Sequence, residues 1–158
     1  MADTSERSGA AVLEPLGHLG PEATLVQAFQ ATAAERPDQV ALRTSDGAVS
    51  LTWAQCAERV RRLAGGLAGL GVRAGDTVAL MMSNRPEFNL VDTAALHLGA
   101  VPWSIYLTSS PSQIRFLLAG AGSRVVVCER EAAASIRAAL AGTAVEHVVV
   151  LDELDALP

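Results

Sequence analysis

The residues with the densest chemistry lie in IYLTSSPSQIRFLL, Ile105 to Leu118, where Thr108, Ser109, Ser110 and Ser112 crowd hydroxyls around a proline. Two chemistries suit such a cluster. A serine can act as a nucleophile when a base stands beside it, and free backbone N–H groups at a helix start can bind phosphate. A phosphate loop usually adds glycines for close backbone approach and a lysine for charge, and this stretch has neither. The same residues also spell a helix start. Ser110 fits an N-cap, Pro111 the first helical position and Gln113 the third, a capping box with a pre-set φ, and Ile114, Leu117 and Leu118 then form an inward stripe. Every residue has a structural task, so the capping reading outweighs an anion site.

Other candidates reduce in the same way. There is no G-x-S-x-G elbow, and no G-x-G-x-x-G follows a strand. Gly65, Gly66 and Gly69 lie inside a helical pattern, where tight packing is the expected reason. Asp76 after Gly75 reads as a turn residue, and His97 as a cation complementing a helix C-terminus. Cys128 has no identifiable catalytic partner. With Cys56 it is expected to be a buried free thiol. His18, His97 and His147 are isolated from one another and from both cysteines, so no metal site is expected. Asp152, Glu153 and Asp155 read as a solvated acidic face. No catalytic, cofactor-binding or metal-ligating residue is assigned, and the substrate-binding residues are unknown.

These side chains need a scaffold, and 158 residues are enough for roughly one domain. Half the residues are hydrophobic and 4% are aromatic, without the ~18 consecutive apolar residues of a membrane span. The N-terminus lacks the basic and apolar regions of a secretory signal. A soluble, cytoplasmic protein is therefore expected. The net charge of −5 argues against a nucleic-acid surface. All 12 basic side chains are arginines, with no lysine.

Residues 1–22 show no period and read as a flexible N-terminal arm, followed by a folded region over 23–158. Thr24 should cap a helix bearing Leu25, Ala28, Phe29 and Thr32 and ending near Arg36. VALRT and VSLTW around Ser45-Asp46-Gly47-Ala48 predict a β-hairpin. Thr52 and Gln55 predict a second capped helix, running to about Leu70 with Gly71 after it. Strand and helix then alternate. Thr77 to Met82 is a strand, Asn84 to Glu87 open a helix with Phe88, Val91, Ala95 and Leu98 inward, and Val101 to Tyr106 is the next strand. After the Ser110 helix come RVVVCE, an alanine-rich helix from about Glu131 to Leu140, and EHVVVLD. The uniformly apolar runs Val125 to Cys128 and Val148 to Leu151 suit strands covered on both faces. The fold class is α/β: part of a mostly parallel sheet with helices on both faces, plus an early hairpin.

In combination the segments LTWAQCAERVRRLAGGLAGLGVRAGDTVALMMSNRPEF and ALHLGAVPWSIYLTSSPSQIRFLLAGAGSRVVVCE are recognisable. Thr24 to about Asp152 resembles the N-terminal portion of the AMP-forming acyl-CoA synthetases, the adenylate-forming ligase superfamily. The tyrosine-to-glutamine stretch is most like the long-chain fatty-acid branch, departing from it at Leu107, where that branch usually has proline.

The resemblance implies a partial N-terminal domain of an AMP-binding ligase over 23–158. In such enzymes ATP converts a fatty acid to acyl-AMP with loss of pyrophosphate, and coenzyme A then takes the acyl group. The resemblance also implies that the phosphate loop ending in Pro-Lys-Gly, the adenine and Mg²⁺ site and the C-terminal-domain lysine lie in later segments. ATP, Mg²⁺ and CoA are thus implied for the full-length family, and no cofactor is expected for this chain alone. Three readings follow: an N-terminal ligase fragment inactive alone, a small non-catalytic α/β binding module, or one half of a two-chain ligase. The expected partners are a C-terminal ligase polypeptide, or a second copy meeting it through uncovered apolar faces.

Overall fold

A computed structural model describes residue 20 and residues 23–151. The expected arm, His18 and the acidic face at Asp152, Glu153 and Asp155 lie outside the described residues. Helix α1 (Leu25–Glu35) begins at Thr24, whose side chain and Gln27 form a reciprocal capping box. It leads into the antiparallel hairpin of β1 (Val40–Arg43) and β2 (Ser50–Thr52). At the hairpin tip Gly47 takes φ 75°, and Asp46 Oδ1 accepts a hydrogen bond from the Ala48 N–H at 3.0 Å. Both are turn chemistry.

Helix α2 (Trp53–Gly69) starts with the Thr52–Gln55 capping box, and Gly71 follows it at φ 90°. The alternating region then supplies β3 (Thr77–Met81), α3 (Pro86–His97), β4 (Val101–Ser104) and α4 (Pro111–Ala121). It continues with β5 (Val125–Glu129), a 3₁₀ turn (Arg130–Ala132), α5 (Ala133–Ala139) and β6 (His147–Leu151). Strands β3 to β6 form a parallel sheet in the order β4-β3-β5-β6.

The sheet has an apolar core on each face because alternate strand residues point opposite ways. Val78, Leu80, Val125 and Val127 pack with Val60 and Leu67 of α2 and Leu90 and Val91 of α3. Ala79, Met81, Val126 and Cys128 pack with Ile114 and Leu118 of α4 and Ile136 of α5. Fully burying one such aliphatic side chain stabilises by about 1.5–3 kcal/mol. Helix α1 joins the first face through Phe29, whose ring meets Trp53 and His97 edge-on at 5.7 and 5.4 Å.

Several details differ from the sequence reading. Leu117 is 37% exposed while Ile114 and Leu118 are wholly buried; the core-facing stripe of α4 is a single i, i+4 pair, and Leu117 is turned off it. Leu25 is 76% exposed at the tip of α1. The fourth strand ends at Ser104, leaving Tyr106 exposed in the following loop. Glu131 lies in the 3₁₀ turn, so the last helix starts only at Ala133. In α3 the fully buried apolar positions are Leu90, Val91, Ala94 and Ala95, with Phe88 and Leu98 half-buried beside them. In β5 every residue is buried, whereas four of the five in β6 are only half-buried.

The glycines of α2 are the largest correction. A Cβ built on Gly65, Gly66 or Gly69 would meet no atom within 4 Å, so tight packing within this chain does not explain them. Each glycine inside a helix costs about 1 kcal/mol relative to alanine.

Candidate functional site

Within the described sheet the winding reverses between β3 and β5. After β3 the chain crosses to β4 on one side, and after β5 it moves to β6 on the other. The loops leaving the carboxyl ends of β3 and β5 therefore part. Open α/β sheets bind ligands in such a crevice, outside the carboxyl ends of the strands.

Ser83, Asn84 and Arg85 leave β3 here, and Glu129 ends β5. Arg85 clamps Glu87, in the first turn of α3, with its Nε donating to Oε2 at 2.8 Å and Nη2 to Oε1 at 2.7 Å. This is the bidentate fork that a planar guanidinium makes with a carboxylate. Arg85 Nη1 also stands 3.7 Å from Oε2 of Glu129, and the Ser83 hydroxyl donates to that same oxygen at 2.9 Å. Glu87 is 4% and Glu129 7% exposed. Burial pushes the Glu87 carboxyl up, but the Arg85 fork, a hydrogen bond from the backbone N–H of Glu87 and the Arg85 charge together outweigh it and leave the group below its ordinary value. The Arg85 guanidinium is correspondingly raised, chiefly by its hydrogen bond to Glu87. Two carboxylates thus face one guanidinium, tying the start of α3 to the end of β5.

Two clefts flank this cluster. One, of about 430 Å³, separates the hairpin residues Thr44 and Asp46 from Asn84 and Asn89. The other, of about 460 Å³, lies between the loops after β3 and β4, with Ser83, Phe88, Ser104, Tyr106 and Thr108 in its walls.

The hydroxyl cluster forms the helix start that its spacing predicts. The Ser110 N–H donates to Gln113 Oε1 at 2.8 Å, and the Gln113 N–H donates to Ser110 Oγ at 3.4 Å. The Ser110 and Ser112 hydroxyls are 3.0 Å apart. Asp76 is a turn residue, accepting the Arg73 N–H on Oδ2 at 2.8 Å while its own N–H donates to Arg73 O at 3.1 Å. His97 keeps Nδ1 2.8 Å from the Thr93 carbonyl oxygen. Cys56 and Cys128 are buried free thiols, and burial pushes both thiols up, away from the thiolate a nucleophile needs. Ser123, wholly buried before β5, is held by the Thr77 hydroxyl at 2.7 Å and the Trp103 indole N–H at 2.9 Å.

The structure thus keeps Ser110, Asp76, His97 and Cys128 apart in separate local roles, and brings together residues that the sequence does not single out. Ser83, Arg85, Glu87 and Glu129 converge only after folding, Ser83 and Glu129 being 46 positions apart in the sequence. The legible hint is that charge or amide side chains follow both central apolar strands, in SNRPE and CER. Among the described residues no group of three or more His, Cys, Asp or Glu is arranged to hold a metal, and no helix is long and apolar enough to cross a membrane.

A parallel α/β unit with a crevice at its winding reversal defines the class. The particular family follows from comparison: the chain belongs to the AMP-binding enzymes, whose family model matches residues 29–158. It is 48% identical over 129 residues to a Mycobacterium tuberculosis protein described as uncharacterized protein Rv1549, covering 82% of this chain and 73% of that one. It is 38% identical over 109 residues to the long-chain-fatty-acid–CoA ligase FadD15 of Mycobacterium bovis, covering 68% of this chain but only 18% of the ligase. The solved N-terminal domain of FACL13 from Mycobacterium tuberculosis superposes with a TM-score of 0.78 at 30% identity, covering 84% of this chain and 35% of that one. The chain therefore corresponds to an N-terminal portion of AMP-forming ligases related to the fatty-acid–CoA ligases.

Proposed function

We propose that this chain is the N-terminal scaffold of a fatty-acid–CoA ligase and that residues 1–158 alone do not form an acyl-adenylate. Activating a carboxylate with ATP builds negative charge on the α-phosphate and on the departing pyrophosphate, so cations and backbone donors must converge there. The observation that carries the proposal is the charge state of the crevice. The guanidinium at the loop ends, Arg85, is already held by Glu87 and approached by Glu129, Arg43 stands on the hairpin side of the flanking cleft, and the sequence contains no lysine. In a complete ligase, ATP, Mg²⁺ and CoA would be handled by segments beyond this portion, with this one supplying walls and positioning.

A two-chain enzyme is the second reading. It is favoured by the outer edge of β6, which no strand among the described residues pairs, and by the match to Rv1549, 73% of whose length aligns with this chain. ATP–pyrophosphate exchange on the purified chain with a long-chain fatty acid tests the first reading. Background exchange is expected, and fatty-acid-dependent exchange above it would refute inactivity. Adding the portion of FadD15 that follows its matched segment should restore exchange if the two-chain reading holds.

A further inference from the structure

We draw no further inference here: the strongest candidate, the apolar groove of about 250 Å³ that Leu63, Leu67 and Leu70 of α2 form with Val149 and Leu151 of β6, carries nothing because nothing among the described residues shows what covers it.

Discussion

Strands β5 and β6 are neighbours of nearly the same composition, VVVCE beside HVVVL, paired in parallel from Val125 opposite His147 to Glu129 opposite Leu151. Every residue of β5 is buried, yet of β6 only Leu151 is. An apolar run states that a strand can be covered on both faces; whether it is covered depends on neighbours the run does not encode. The centre of this molecule is therefore closed, with its charges paired and its faces packed. The β6 side is open, with an unused edge and a groove.

The largest way to break that contrast is at the closed end. Arg85→Ala leaves Glu87 and Glu129 buried without their cation and should destabilise by about 3 kcal/mol, measured by urea unfolding at neutral pH. Acidification should partly rescue this variant, because an unpaired buried carboxyl titrates high and its penalty disappears once it is protonated. Next comes one substitution made in both strands. Val127→Ala should cost about 2 kcal/mol from lost burial and a cavity, while Val149→Ala should cost under about 1 kcal/mol, because its site is already half-solvated. Equal losses would show that the β6 side is as closed as the centre. Ser110→Ala removes the N-cap oxygen of α4 and should cost about 1 kcal/mol in the same assay, with no selective effect on phosphate binding.

The smallest effect is the wild-type pH dependence. Glu87 is held below its ordinary value of 4.5 in the folded protein, so its contribution is complete above that value and is lost as pH falls through the depressed folded one. Wild type should therefore lose stability as the pH falls below about 4.5, whereas Arg85→Ala should regain stability above that value, as its raised carboxyl protonates.

Much of this fold was legible because local chemistry wrote it. Thr24, Thr52 and Ser110 each cap a helix with a glutamine three residues on, as their spacing requires. The Asp46-Gly47 turn, the strand at Thr77 and the closing Gly71 are equally local, and Gly71 adopts a positive φ. What escaped the sequence is what depends on distance. The pairing of Arg85 and Ser83 with Glu129 needs β3 and β5 side by side, and the half-exposure of β6 needs a missing neighbour. The open space at Gly66 was also hidden, because a glycine required by packing and one left free read alike in a single sequence. The crevice was not legible as a site, since Arg85 and Glu87 also serve as an ordinary helix opening.

Titrating the 158-residue chain with Mg²⁺-ATP while following backbone amide resonances tests the central claim most directly. The account predicts no saturable shift at Ser83 to Glu87 or at Glu129, because the guanidinium there is already neutralised. Saturable shifts at those residues, with acyl-AMP appearing when a fatty acid is added, would contradict it.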